Sequence, residues 1–215
     1  MTERSYPALL RIEGTNCTVV GGGHVAFRKV NSLLDAGARV TVISPVLANG
    51  LAEYASNNII IWKEKRFEAD DLAGAVLVIA ATDQPDVNVA VWEAVRPGQW
   101  ITVADRPDLS TFIVPAQVRR GRLLLTISTE GASPGLSRRI ARELAVQYDD
   151  TYDIYTEWLA DSRKIVLKQI DNPVARRIIF AGLLTDEFWL IACNNDRSAW
   201  DAELTKLMCK AERIE

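Results

Sequence analysis

Two groups of residues in this 215-residue chain have the types and spacing that chemistry requires. The first is Gly21-Gly22-Gly23-His24-Val25-Ala26, which follows a short apolar run ending at Val20 and opens a helical pattern. In a dinucleotide turn each small residue has a job. Gly21 lets the chain leave the strand sharply, Gly23 lets the backbone approach a pyrophosphate, and Ala26 lets the helix pack close to the strand. The pyrophosphate then sits on the free N–H groups and positive end of the helix. The same turn also occurs without a ligand, but here the strand–turn–helix context is met as well. Gly22 and Val25 belong to this cradle, and His24 reads as a helix-start residue beside the phosphates rather than as a catalytic group. The second strand ends at Ile43-Ser44-Pro45, with no acid for the ribose hydroxyls. Ser44 is the weaker substitute, and with no Arg or Lys adjacent the expectation is NAD rather than NADP.

The second group centres on Asp105, just after the fifth expected strand. In a doubly wound sheet this is the carboxyl edge, where ligands bind. A carboxylate there is placed to accept a proton. Asp-Arg-Pro-Asp is also a good turn, so a purely local role for Asp105 stands beside the catalytic one. Thr82 and Asp83, in Ala-Thr-Asp after the fourth strand, border the same edge.

These residues need a frame, and the first hundred residues supply one. Strand-like runs (NCTVV, ARVTVISP, IIIW at 59–62, AVLVIAAT, WITVAD) alternate with helical patterns (Val25 to Ala36, LANGLAEYAS, DVNVAVWEAV). Such alternation favours right-handed crossovers and a mostly parallel sheet covered on both faces, an α/β fold of doubly wound Rossmann type. After Pro107 the pattern changes. TFIVPAQVRRGRLLLTIST reads as a hairpin, with Pro115 at an edge or bulge. Ser133 then caps a helix with Pro134 in its first position, and its apolar stripe is Leu136, Ile140, Leu144 and Tyr148. From Asp149 onward the chain reads as helical, with breaks near Asn172-Pro173 and Asn194-Asn195. The expected division is 1–110 for the sheet domain, 111–148 for a small α+β element and 149–215 for a helical domain.

Composition excludes several function classes. With 48% apolar residues and a net charge of −3, the chain is neither disordered nor a nucleic-acid binder by charge. No apolar run approaches the ~20 residues of a membrane span. MTERSYPALLRIEG lacks a signal layout, so a cytoplasmic location is expected. Cys17, Cys193 and Cys209 have no metal-type spacing, and with His24 the single histidine no resident metal site is expected. The six tryptophans default to core packing, with Trp158 the one placed to flank a large flat ligand.

The order VVGGGHVAFRKVNSLLDAGARVTVISP, then VIAATDQPDVN, then VADRPDLSTFIVPAQVRRGRLLLTISTEGASPGLSRRIARELA, resembles the N-terminal family of the siroheme synthases, the precorrin-2 dehydrogenase and sirohydrochlorin ferrochelatase group. The resemblance covers residues 5 to 148. It implies a homodimer, with residues 111–148 as the dimerisation element, and NAD-dependent oxidation of precorrin-2 to sirohydrochlorin. In some members Fe²⁺ or Co²⁺ is also inserted by the same cleft. The proposed catalytic aspartate of the family falls on Asp105, and the backbone segments that contact NAD fall on His24-Val25 and Pro45-Val46. Thr102 stands where related sequences often carry Asn, and Thr129-Glu130-Gly131 replaces their usual Ser-Gly-Gly. Precorrin-2 is a polycarboxylate, so a basic site is implied despite the acidic chain. The candidates are Arg119, Arg120 and Arg122 on the hairpin turn, and Ser133, Arg138, Arg139 and Arg142 at the start of the following helix, with Arg119, Arg120, Ser133 and Arg138 the ones assigned to substrate. Each arginine also reads as part of a solvated face. The chain carries no counterpart of the methyltransferase part of longer relatives, so it is not expected to make precorrin-2 itself.

Two readings of other classes stand beside the enzyme: a non-catalytic NAD-sensing module, and a tetrapyrrole carrier or chelatase without hydride transfer. The second basic region counts against the sensor, which needs no such cleft.

Overall fold

The structure is a computed structural model that describes residues 5–212. The chain forms two compact units, Met1–Val114 and Pro115–Glu215.

In the first unit, β1 (Asn16–Val20), β2 (Arg39–Ile43), β3 (Ile61–Lys63), β4 (Leu77–Ala80) and β5 (Trp100–Val103) form one parallel sheet in the order β3-β2-β1-β4-β5. Strand alternation sorts the apolar residues into two layers. Val19, Val40, Val42, Leu77 and Ile79 face α1 (His24–Asp35) and α2 (Asn49–Ser56), whose Ala26, Val30, Leu33 and Leu51 complete one core. Val20, Ile43, Val78, Ala80 and Ile101 face the other way and pack with Val91 of α3 (Pro85–Glu93). Burial on both faces is why these strands read as continuous apolar runs rather than alternating ones. The chain order reverses between β1 and β4, and the glycine turn leaves β1 at that switch point.

Two strand boundaries differ from the pattern. β3 covers Ile61–Lys63 rather than 59–62, because Asn58 turns the chain at φ 56° and leaves Ile59 half exposed before pairing begins. The apolar run from Thr111 does not enter the hairpin at once. Instead Ser110 Oγ and Thr111 Oγ1 each accept an N–H of β5, from Val103 and Ile101 at 2.9 Å. Side chains thus close the outer edge of β5, which would otherwise invite a further strand.

The second unit begins with the hairpin β6 (Ala116–Arg120) and β7 (Leu123–Ile127), turned through Gly121 at φ 52°. Pro115 precedes the first paired residue, where its missing N–H removes no ladder bond. Helix α4 (Pro134–Gln147) packs on the hairpin. Its stripe of Leu136, Ile140, Leu144 and Tyr148 stays partly accessible, and among its residues only Ser137 is fully buried. Helices α5 (Thr151–Gln169), α6 (Pro173–Gly182), α7 (Asp186–Cys193) and α8 (Arg197–Glu212) follow. They bury Trp158, Val166, Ile179, Phe188 and Trp200 in one cluster. Trp200 is fully buried and its indole N–H donates to Ser162 Oγ at 2.9 Å, which satisfies both polar groups. Trp158 packs edge-on against Trp200 and is a core residue, not a ligand platform. Trp92 and Trp100 depart from the default and lie substantially exposed. Among the described residues no helix is long and apolar enough to cross a membrane.

Candidate active site

At the carboxyl edge of the five-stranded sheet, the loops after β1, β2, β4 and β5 meet. Gly21 holds φ 120°, a conformation that suits only glycine, and its N–H donates to Ile43 O at 2.9 Å. A Cβ at Gly21 would lie 2.3 Å from Ala81 O, so the loop after β4 rests directly on this residue. A Cβ at Gly22 would lie 2.0 Å from Val46 O and 2.6 Å from Ser44 Oγ, so the loop after β2 closes on the next one. Ala48 N–H donates to Gly22 O at 2.7 Å and ties the two loops together.

Gly23 is different. It is exposed, and a Cβ there would meet nothing within 4 Å. It is the N-cap of α1 and supplies no side-chain cap, so the first-turn N–H groups of the helix face that open space without internal partners. This is the combination a pyrophosphate needs: close approach, unsatisfied donors and the positive end of a helix dipole. The residues present therefore fit a dinucleotide. His24 and Val25 follow on the exposed first turn.

Ser44 is nearly buried and its hydroxyl donates to Val46 O at 2.7 Å. Its proton is committed to shaping the β2–α2 loop, which leaves its lone pairs for a ribose hydroxyl. The loop has a second support that sequence reasoning missed: the Trp62 indole N–H donates to Ser44 O at 2.9 Å. A tryptophan on an edge strand gave no cue to that role. Pro45 and Val46 stand exposed beyond it, Val46 at 74%, as an apolar rim.

Asp105 is exposed in the turn after β5, and one carboxylate oxygen, Oδ1, accepts from Asn88 Nδ2 at 3.0 Å. Asn88 lies on the first turn of α3 and is fully buried. Its other amide atoms bind Thr82, with Oδ1 taking the Thr82 N–H at 3.2 Å and Nδ2 donating to Thr82 O at 3.2 Å. Asn88 was also missed, although a signal existed: in DVNVAVWEAV it is the polar residue on an otherwise apolar helix face. Asp83 lies exposed in the loop after Thr82. Beside Asp105, Arg106 is gripped by Asp108 at 2.6 Å, and that carboxylate raises the guanidinium's already high affinity for its proton.

The remaining candidates lie in the second unit. Ser133 Oγ accepts the Leu136 N–H at 3.2 Å and caps α4, while its own N–H donates to Thr129 Oγ1 at 3.0 Å. Arg120 is largely a structural residue. It donates through Nη2 to Ala145 O at 3.2 Å, and its Nε approaches Asp150 Oδ1 at 3.2 Å without hydrogen-bond geometry. Arg122 is held by Glu157 and Arg139 faces Glu143. Arg119 and Arg138 are exposed and in no ion pair among the described residues.

A parallel sheet in this strand order, with an uncapped glycine turn at its switch point, defines an NAD(P)-binding α/β protein. The family model described as "Putative NAD(P)-binding" matches residues 8–116. The precorrin-2 dehydrogenase of Priestia megaterium is 30% identical over 86% of this chain and 92% of its own length. A siroheme synthase of Methylococcus capsulatus is 41% identical over 80% of this chain, which spans only 36% of that protein's length. Among solved structures, SirC, precorrin-2 dehydrogenase, superposes with a TM-score of 0.81 at 27% identity, covering 97% of this chain and all of that one. This chain belongs to the precorrin-2 dehydrogenase family. It is a nicotinamide-dependent oxidoreductase.

Proposed function

We propose that this protein oxidises precorrin-2 to sirohydrochlorin with NAD as the acceptor. The observation that carries the reading is Asp105, fixed by Asn88 on the same sheet edge as the dinucleotide cradle and open to solvent on that edge. When bound, the nicotinamide supplies the hydride acceptor. Gly22, Gly23 and the first turn of α1, with His24 and Val25, orient the dinucleotide through backbone N–H groups. Ser44, Pro45 and Val46 line its ribose and adenine side, and Thr82 and Asp83 border the cleft. The oxidation removes two hydrogens. One C–H bond gives up hydrogen with its electron pair, and a second hydrogen leaves as a proton, which Asp105 accepts.

Ser133, Arg119 and Arg138 supply the donors for the substrate's carboxylates. Ser133 keeps its hydroxyl proton for this purpose after capping α4, and both arginines are in no ion pair among the described residues. Arg120 contributes by holding the hairpin to the end of α4. The protein works as a cytoplasmic homodimer. The partly accessible stripe of α4, with Leu136 37% exposed, is an apolar surface suited to a second copy. Insertion of Fe²⁺ or Co²⁺ into the product is the second reaction the same carboxylate can serve, by taking pyrrole protons.

The test is anaerobic incubation with precorrin-2 and NAD⁺, following NADH absorbance and the sirohydrochlorin spectrum together. Both rise if the reading holds, and added Fe²⁺ or Co²⁺ then tests chelation in the same cuvette. NAD⁺ binding without tetrapyrrole binding gives the sensor instead. Tetrapyrrole binding without NADH gives the carrier. In the Asp105→Asn variant, kcat is expected to fall by about 10²- to 10⁴-fold with NAD⁺ affinity retained.

A further inference from the structure

The loop after β4 touches two parts of the site at once. Its Ala81-Thr82 segment is the surface against which Gly21 packs, and its Thr82 backbone is bound on both sides by Asn88. The same Asn88 amide holds Asp105. We propose that Asn88 is the positioning residue that sets the proton-accepting carboxylate in register with the dinucleotide cradle. This inference rests on the reading of Asp105 as the proton acceptor.

The amide's orientation is decided by its partners. Thr82 N–H can only donate, so the atom 3.2 Å from it must be the oxygen. The Thr82 hydroxyl, 2.8 Å from the same oxygen, is compatible with that assignment. The two hydrogens of Nδ2 then go to Thr82 O and Asp105 Oδ1, and the amide's donors are fully used. The flipped amide would set an NH₂ against an N–H, which no proton placement repairs.

Asn88 is a poor helix former placed inside an apolar helix face, and a buried polar side chain is tolerated only when every group is satisfied. Packing alone would be served better by an aliphatic residue at that position. What the amide adds is a link across the edges of β4 and β5. Asp105 sits in an exposed turn, where a carboxylate otherwise samples several rotamers. With Oδ1 held, the second oxygen has a fixed position, and no other hydrogen bond to that carboxylate is present among the described residues. The charged neighbour acting on Asp105 is Arg106, itself occupied by Asp108, while α3 contributes the neutral Asn88.

The experiment compares wild type with N88A, N88D and D105N, measuring kcat, KM for precorrin-2, NAD⁺ affinity by direct titration, thermal melting and the pH profile of kcat/KM. For N88A, kcat falls by about 10- to 100-fold, while KM and NAD⁺ affinity stay within about threefold of wild type. N88D keeps the volume and the acceptor for Thr82 but turns a carboxylate towards Asp105. Two carboxylates at that spacing cannot both ionise, so the acid limb of the profile moves up by about one pH unit or more. An N88D profile that overlays wild type with kcat unchanged overturns the inference. So does an N88A variant whose NAD⁺ affinity collapses in step with kcat, since that makes Asn88 a prop for Thr82 alone. If N88A does not fold, N88D decides. D105N separates the two levels: wild-type turnover there removes Asp105 from the mechanism and the inference with it. An inactive D105N beside an unaffected N88D leaves Asp105 in place and removes only the role of Asn88.

Discussion

Helices α1 and α4 both start on small residues, and their first turns are finished in different ways. α1 begins after Gly23, with no side-chain cap and open space in front of it. α4 begins at Pro134, which has no N–H to offer, and Ser133 Oγ takes the Leu136 N–H. The first helix keeps its donors for a ligand, and the second has spent much of its own. Under the proposed function, anion binding at α1 is a property of the backbone and depends on which side chains are missing. At α4 the same reading depends on side chains that are present, the Ser133 hydroxyl proton and the Arg138 guanidinium. Both starts look like anion sites in the sequence, and only the accounting of N–H groups separates them.

The sharpest way to break the comparison is to fill the α1 cradle where it is already full. In Gly22→Ala the new methyl meets backbone, Val46 O at 2.0 Å, and a backbone atom cannot swing aside as a side-chain tip can. Overpacking of this kind costs about 1–3 kcal/mol. The β2–α2 loop must shift, so melting temperature and NAD⁺ affinity should fall together. Calorimetry and NAD⁺ titration on one preparation check this, and an unchanged melting temperature would show that the loop does not clasp the turn.

Gly23→Ala fills the cradle where it is empty. The backbone there, φ −87° and ψ −171°, suits alanine, and the methyl meets no protein atom. Loss of glycine from an N-cap shifts stability by less than about 1 kcal/mol. The methyl lies where the pyrophosphate must approach, so NAD⁺ affinity should fall by about tenfold, or ~1.4 kcal/mol. Binding lost with stability kept is the signature of a site made for the ligand. Equal affinity in this variant removes the pyrophosphate from that position.

The same accounting explains what was legible in the sequence. The alternation of strands and helices, the glycine turn and the cap at Ser133 are local, written in apolar period and turn chemistry, and they stand where the pattern puts them. Asp105 was legible as a carboxylate at the edge of the sheet. Its tie to Asn88 was not, because the bond joins residues 17 apart through the packing of α3 between two strand ends. The Trp62–Ser44 bond spans 18 residues and was hidden for the same reason. Among the arginines, residue type alone gave two basic groups, on the hairpin turn and on the first turns of α4, with no ranking inside either. The structure divides both, since Arg120, Arg122 and Arg139 have internal partners and Arg119 and Arg138 are in no ion pair among the described residues.

Removing the cap sharpens the other side of the comparison. Ser133→Ala strips α4 of an N-cap bond, worth about 1 kcal/mol, and also removes the hydroxyl proton assigned to a substrate carboxylate. Melting temperature and KM should both change, whereas Arg138→Ala, at an exposed residue in no ion pair among the described residues, should raise KM alone. A Ser133→Ala variant of unchanged stability would mean that the first turn of α4 is held by something other than its cap.

The smallest effect lies just upstream, where Glu130 and Gly131 lead into that cap with φ 49° and 85°. Left-handed backbone is costly for a residue with a Cβ, on the order of 1 kcal/mol. Glycine relieves the strain but adds freedom to the unfolded chain, and the two act in opposite directions. Because the left-handed conformation is already imposed by the turn that delivers Ser133 to α4, and a contact made by an exposed side chain such as Glu130 is usually worth under about 0.5 kcal/mol, relief of strain should win narrowly. Glu130→Gly is expected to raise stability by about 0.5 kcal/mol with KM unchanged, read by denaturant unfolding of both proteins. A loss of stability instead would mean that the Glu130 side chain holds the turn more strongly than its backbone strains it, and would make this loop, like the start of α4, a structure built from side chains.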